Sequence, residues 1–203
     1  MLYGILQEDP SIDDNRKLIA VFATPLSILS EPQGILVESI NLKRYGMEQT
    51  VQRWVIEAEI VPQDEPPEIF SNRVTNGEVG DIFIQMPQPY SARSSKIEGS
   101  TRILADALKR STTLRVQGAF VPNLFICIGS FPSKVYLVTK VDNTAGTINI
   151  FPGLRENVAV DTPIFHSEDV IMRANYDLSV IKGMQYDNGI LASMGTLRLV
   201  EVV

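Results

Sequence analysis

The chain has 203 residues, 44% of them hydrophobic, so it is long enough for one large domain or two small ones without disulfide or metal staples. Its 18 Lys and Arg stand against 24 Asp and Glu, and the resulting net charge of -6 disfavours nucleic acid or an anionic membrane as the main partner. A single cysteine, Cys127, excludes an internal disulfide and gives no sign of a secreted, cross-linked scaffold.

The amino terminus and the longest apolar stretch give no indication of a membrane segment. Residues 1–9 lack the basic and apolar parts of a signal peptide. Residues 18–29 are rich in apolar side chains, but they contain Pro25 and fall well short of the ~20 residues that cross a bilayer. We therefore expect a soluble protein without a membrane partner.

The first half of the chain has the pattern of strands. Residues 35–42 and 52–61 are rich in β-branched and aromatic types, and alternation from Trp54 to Ile60 separates apolar residues from two glutamates. This predicts a half-buried strand with Trp54 in the core. An acidic, proline-containing start at residues 64–70 predicts a short helix, and residues 82–86 predict a strand that ends at Pro87.

The composition changes to Pro, Ser, Lys and Gly between Pro87 and about Thr101, which predicts a domain boundary there. Residues 102–109 carry apolar residues at 103, 104, 107 and 108, a spacing that by itself favours an amphipathic helix. Strands are then predicted at residues 113–117, 124–128, 134–141 and 147–151. Asn188-Gly189 between two strand-like runs predicts a closing hairpin with a type I′ turn.

Residues with catalytic or metal-binding chemistry are sparse. His166 has no partners at ligand spacing, so we read it as a solvent-facing loop histidine rather than a metal ligand or a triad base. Cys127 lies in an apolar run and is predicted to be buried and inert. The acidic pairs Asp13-Asp14 and Glu168-Asp169 are read as solvated loops rather than a glycosidase pair.

Binding motifs are equally scarce, since the sequence contains neither a phosphate-cradling loop nor a dinucleotide fingerprint. An aromatic platform for sugars or bases is conceivable, but strand-like alternation makes core packing the favoured interpretation. Its candidate residues are Tyr90, Phe131, Tyr136 and Phe151. We accordingly predict no catalytic, cofactor-binding or metal-binding residues, no cofactor and no enzymatic activity.

The order of these features resembles the distal tail protein of siphophages, a baseplate protein of long-tailed bacteriophages. The resemblance covers roughly residues 35–203. The features that carry it are the strand of Trp54, the start at 64–70, Gly80-Asp81-Ile82-Phe83-Ile84-Gln85-Met86-Pro87-Gln88, Lys134-Val135-Tyr136-Leu137-Val138-Thr139, Ile148-Asn149-Ile150-Phe151-Pro152-Gly153-Leu154, Asp161-Thr162-Pro163-Ile164 and the closing strands at 186–201.

The resemblance implies a mainly β fold with one short helix and two parts. Residues 1–88 are expected to begin a ring-forming β-sandwich or barrel, with residues 1–33 as an N-terminal arm, and residues 171–203 to supply its closing strands. Residues 89–170 would form an inserted small barrel of the oligonucleotide/oligosaccharide-binding type. Under this reading residues 102–109 are strand and loop rather than helix.

In function, the resemblance implies a structural virion component made in the host cytoplasm. It would form a homo-oligomeric, six-fold ring that joins the tail tube to the hub and adsorption apparatus, with tail tube, baseplate hub and tape-measure proteins as partners. The acidic balance opposes sequence-specific nucleic-acid binding and would let DNA pass through the ring without sticking. A siphophage or myophage tail, a carbohydrate-binding module and, more weakly, a cell-wall hydrolase stay open as alternatives.

Overall fold

The computed structural model describes residues 3–6, 18–38, 44–61, 81–89, 100–130, 133–177, 185–187, 190–193 and 196–202. These residues form antiparallel sheets of seven, six and two strands. The strands are β1 Gly4–Leu6, β2 Leu18–Val21, β3 Ser27–Glu38, β4 Arg44–Glu59, β5 Ile82–Gln85, β6 Arg102–Ile103, β7 Thr113–Gln117, β8 Phe125–Ile128, β9 Val135–Asp142, β10 Thr147–Phe151, β11 Ile164–His166, β12 Ile171–Tyr176, β13 Gln185–Asp187, β14 Ile190–Ser193 and β15 Thr196–Glu201.

The seven-stranded sheet combines both ends of the chain in the order β2-β1-β5-β12-β15-β4-β3. Its far sides approach each other at one corner. There Phe22 forms a bridge with Ile60, and the amide of Val61 donates to the carbonyl of Val21 at 2.9 Å. The sheet therefore curls toward a barrel around one apolar interior.

The six-stranded sheet has the order β11-β8-β9-β10-β7-β6, and all of its strands lie between residues 102 and 166. Hydrogen bonds close it, because Thr101 and Ile103 pair with the backbone at residues 161–164 along the start of β11. The amide of Ile103 donates to Thr162 at 2.9 Å, and that of Ile164 donates to Thr101 at 3.0 Å. These residues complete a small barrel beside the larger sheet.

Two apolar cores fill the molecule, and β8 and β9 contribute to both. Ile126 and Val138 lie in the core of the small barrel. Cys127 and Val135 lie in the core of the seven-stranded sheet. Successive residues of a strand face opposite sides, so each of these strands is covered on both faces. The barrel wall is therefore also a layer of the neighbouring core.

The fold class was predicted correctly as mainly β, and the described residues contain no α-helix beyond a single 3-10 turn at Ser167–Asp169. The predicted hairpin around residues 188–189 is confirmed by the pairing of Asp187 with Ile190. Trp54 is 4% exposed and lies in the core, as predicted. The predicted short helix at residues 64–70 falls outside the described residues.

The amphipathic helix suggested by the spacing at residues 102–109 is wrong. Ile103 ends β6, and the amides of Ile103 and Ala107 pair with backbone carbonyls on the facing segment, the second with Val158 at 2.8 Å. Residues four positions apart lie on one face of a helix. They also lie on one face of an extended chain, in which every second residue points to the same side. Here the extended alternative holds, with Ile103 and Ala107 inside and Leu104 and Leu108 exposed.

Strands from residues 4–85, with β12 and β15 near the other end of the sequence, form the seven-stranded sheet, strands from residues 102–166 form the six-stranded sheet, and β13 and β14 form a separate pair. The division at residues 88 and 170 into separate domains stays a prediction. Within the expected arm of residues 1–33, the described residues lie in the sheet of their own chain as β1, β2 and the start of β3. Any contact between this segment and a neighbour also stays a prediction.

Candidate functional site

Cys127 is buried, as the sequence predicted, between the barrel and the seven-stranded sheet. Burial raises the pKa of its thiol to about 12. The sulfur lies 3.9 Å from the carbonyl of Ile171 and 4.0 Å from that of Ser133. A thiol that stays protonated and inaccessible is a poor nucleophile and a poor metal ligand, so Cys127 is a packing residue.

His166 was expected in a solvent-facing loop, and the structure corrects that expectation. The residue ends β11 opposite Ile126 and is half-buried. Its Nδ1 lies 3.1 Å from the Ser167 hydroxyl oxygen, and burial lowers the pKa of the imidazole against the opposing effect of Asp169. His166 is half-buried because it lies at the end of β11, the strand along which the barrel closes.

The other candidates divide between surface and core. Glu168 and Asp169 are exposed on the 3-10 turn, and Tyr136 is buried with its hydroxyl accepting from the amide of Arg155 at 3.2 Å. Phe151 is 43% exposed, although its ring meets Trp54 edge-on at 6.0 Å. Asp13, Asp14, Tyr90 and Phe131 lie outside the described residues.

Among the described residues, no group of three or more His, Cys, Asp or Glu is arranged to hold a metal ion. Nor does this part of the chain contain a helix long and apolar enough to span a bilayer. Instead, the concentrated polar chemistry of the described chain lies in the seam between the barrel and the seven-stranded sheet.

A buried ion pair forms the centre of this seam. Lys134 precedes β9 of the barrel and contacts the carboxylate of Glu201 at the end of β15, with side chains 6% and 2% exposed. Lys134 Nζ also donates to the carbonyl of Gln52 at 2.8 Å and to its side-chain oxygen at 3.2 Å. Burial lowers the pKa of Lys134, and the charge and hydrogen bond of Glu201 oppose that effect. The ammonium group has a partner for each of its three protons.

Both oxygens of Glu201 also accept from backbone amides. Trp54 donates to Oε2 at 3.0 Å, and Val135 donates to Oε1 at 3.1 Å. The indole Nε1 of Trp54 in turn donates to the carbonyl of Val135 at 2.8 Å. We call Gln52, Trp54, Lys134, Val135 and Glu201 the polar junction. It links β4, β9 and β15 across the seam.

A second buried polar group lies further along the same seam. The side-chain oxygen of Gln88 accepts from the amide of Phe125 at 3.1 Å, and its nitrogen donates to the carbonyls of Phe125 at 3.2 Å and Ser167 at 3.3 Å. The Gln88 amide therefore pairs with both backbone groups of Phe125, much as a neighbouring strand would. The segment that leads from β5 into the barrel is therefore hydrogen-bonded to the barrel at Gln88, before the first barrel strand begins.

Sequence reasoning missed the polar junction, although one of its members carried a signal. Glu201 is two residues from Leu199 and four from Leu197, both 0% exposed, so alternation places Glu201 on the inward face of β15. A charged residue at an inward position requires a partner. Nothing in the sequence identifies Lys134, 67 residues away, as that partner.

The second candidate feature is the far end of the β3–β4 pair. β15 pairs with β4 only from Val55 to Glu59, but β3 continues along β4 until Glu38 meets Arg44. A break in register separates the pair Pro32–Gln52 from the pair Gly34–Glu48. We call residues 34–38 and 44–48 the ribbon. In the described part of the chain its two strands pair with each other and with no third strand.

The register pairs the two strands of the ribbon at five positions. Ile35 lies opposite Met47, and Val37 lies opposite Tyr45. At ~3.3 Å per residue, five paired positions extend the ribbon roughly 17 Å beyond the register break.

Neither the models of known protein families nor the curated proteins contain a match to this sequence. The resemblance to distal tail proteins therefore rests on the short motifs of the sequence alone.

Proposed function

We propose that the chain is a structural, non-enzymatic component of a bacteriophage tail tip or baseplate, where copies of it form a ring between the tail tube and the hub. The observation that carries this proposal is the ribbon, whose two strands pair only with each other among the described residues. An isolated two-stranded ribbon is at best marginally stable in water. A neighbouring strand that pairs with one edge of the ribbon would supply the missing stabilisation.

The edges of the ribbon support a ring rather than a simple pair. β3 has β4 on one side, and β4 between residues 44 and 53 has β3 on the other, so in the described chain each strand has one unpaired edge. These edges lie on opposite sides of the ribbon. The β3 edge of one copy can pair with the β4 edge of the next, and such a head-to-tail contact forms a ring when the rotation between copies closes and a filament when it does not. The resemblance supplies the expected number of six copies, the virion location and the tail partners.

The carbohydrate-binding alternative has little support from the barrel surface. Stacking on sugars requires exposed aromatic rings, and Phe151 is the one exposed aromatic residue in the described part of the barrel. Its ring is already in edge contact with Trp54. Several exposed aromatic side chains on one surface would have favoured carbohydrate binding, and the described part of the barrel has a single exposed one.

Light scattering of the purified chain during size exclusion, alone and with the tail tube protein, tests the assembly. We expect a closed oligomer, and we expect Val37→Lys with Tyr45→Lys to abolish it, because charged side chains along a strand edge oppose pairing with another strand. Thr113→Lys with Thr139→Lys, at exposed positions of the barrel, is the matched control because it adds the same charge away from the ribbon. A wild-type chain that stays monomeric under both conditions, or equal behaviour of the two variants, would contradict the proposed ring.

Antibody labelling of purified virions in the electron microscope tests the location independently. We expect label at the distal end of the tail. Virions that carry the chain elsewhere, or not at all, would remove the tail-tip role even if the chain forms rings in solution.

A further inference from the structure

The barrel is attached through two chain crossings, one near residues 86–101 and one near residues 166–171. Parts of a chain joined in this way usually move relative to each other unless the interface between them is large and apolar. Here the outer face of the barrel wall is part of the neighbouring core. Cys127 and Val135 are buried in it, with Phe125, Leu137 and Phe165 packed against it. The apolar contact holds the two parts together.

Apolar contact alone does not choose one orientation, because burial of apolar surface is non-directional. The polar junction is directional. The carboxylate of Glu201 accepts from two amides and from Lys134, while Lys134 also donates twice to Gln52. A shift of one residue along β9, ~3.3 Å, would separate these donors from their acceptors and leave two charges unpaired inside the protein.

We propose that the Lys134–Glu201 pair is a registration device that selects a single orientation of the barrel on the seven-stranded sheet. A buried ion pair of this kind adds little net stability over two apolar residues of similar size, so stability alone does not account for it. Its donors and acceptors come from β4, β15 and the start of β9, and all are satisfied together in one arrangement. The barrel therefore projects from the sheet at a fixed angle. This inference does not depend on the proposed ring.

Distances between two spin labels, measured by pulsed electron resonance, test the orientation directly. One label is placed at Thr139 on the exposed barrel face and one at Ser27 on the sheet, in a Cys127→Ala background so that only the introduced thiols react. The wild-type junction should give one narrow distance. A broad distribution in that protein would already overturn the proposal.

The decisive variant replaces the pair by apolar residues, Lys134→Met with Glu201→Leu. We expect it to unfold cooperatively but to show a distance distribution broadened roughly twofold or more, or split into several distances. The matched control removes both charges of the exposed pair of the barrel, Arg102→Met with Asp161→Asn, whose atoms lie 3.2 Å apart; asparagine is chosen because residue 161 has a φ of 64°, which asparagine tolerates and leucine does not. The control should keep the narrow distance.

A folded double variant with an unchanged narrow distance would refute the registration role. If the double variant does not fold, Lys134→Met with Glu201→Gln takes its place, because it removes both charges and keeps a side-chain oxygen at position 201 that can accept from the amide of Trp54 or Val135. The same broadening is expected there, and an unchanged width would again count against the proposal.

Discussion

The barrel strands β8 and β9 and the ribbon of β3 and β4 are all antiparallel, but they differ in how far the rest of the chain covers them. β8 and β9 are covered on both faces within the chain, by the barrel core on one side and the core of the larger sheet on the other. The ribbon has two strands and, among the described residues, no third strand beside them. The fold is therefore completed within the chain at the seam and left open at the ribbon, so mutations at the two places should act on different properties.

The largest expected effect is at the polar junction. Glu201→Gln removes the charge that pairs with Lys134 and leaves a buried cation without its counter-ion, which should lower the free energy of unfolding by about 3–5 kcal/mol. Urea unfolding followed by the fluorescence of Trp54 measures it. Asp161→Asn, at the exposed Arg102–Asp161 pair, is the control and should cost no more than about 1 kcal/mol. A similar small cost for both variants would mean that the junction is not effectively buried.

Gln88 provides an intermediate test at the other part of the seam. Gln88→Ala deletes the amide that pairs with the backbone of Phe125, leaving buried groups unsatisfied, and should cost about 1–3 kcal/mol of unfolding free energy. Hydrogen exchange at the Phe125 amide should accelerate in parallel. Unchanged exchange there would indicate that water or another group replaces Gln88. Gln117→Ala, at an exposed barrel position bonded to Arg102, is the surface control.

Cys127, which is buried in the seam, makes the stability of the fold depend on pH. Its pKa is raised from 9.0 to about 12 in the folded state, so the folded state keeps the proton that the unfolded chain loses above pH 9. The stability present below pH 9 is therefore lost progressively as pH rises toward 12, by on the order of 1 kcal/mol for each pH unit. Comparing the chain with Cys127→Ala isolates this contribution, because other groups titrate alike in both. Parallel pH profiles would contradict a buried, protonated thiol.

The smallest effect on stability is expected on the exposed face of β3, just before the ribbon. Leu29→Thr in the monomer should change the free energy of unfolding by less than about 1 kcal/mol, because Leu29 is 45% exposed. Ile56→Thr, at a fully buried position of β4, should cost more than about 2 kcal/mol. Thermal unfolding at a concentration that keeps the chain monomeric measures both. Equal costs would show that Leu29 is packed as tightly as Ile56.

Strand-dominated architecture followed from the sequence because residue alternation reports burial directly, as at Trp54, Ile56 and Ala58. The segment at residues 102–109 was ambiguous because a four-residue spacing fits a helix and an extended chain alike. Neither the closure of the barrel through Thr101 and Ile164 nor the meeting of Lys134 with Glu201 was predictable, since both join residues more than 60 positions apart. Such contacts are set by tertiary packing and leave no local pattern.

The ribbon illustrates a different limit of sequence reasoning. Residues 35–42 and 52–61 were predicted as strands from their composition, and the structure extends β4 back to Arg44, across residues that no pattern had assigned. Strand length depends on whether a partner strand is present. The pairing of residues 34–38 with residues 44–48 is known only from the register of the two strands.

The two crossings that lead into and out of the barrel leave the larger sheet side by side, because β5 and β12 are antiparallel neighbours and Gln85 faces Ile171. A tight turn could reconnect the chain at this point and omit the barrel altogether. Such a shortened chain would expose Trp54 and the carboxylate of Glu201, which the barrel now covers. Removing or exchanging the insertion therefore requires coordinated changes on β4 and β15, and the larger sheet has become dependent on the part it carries.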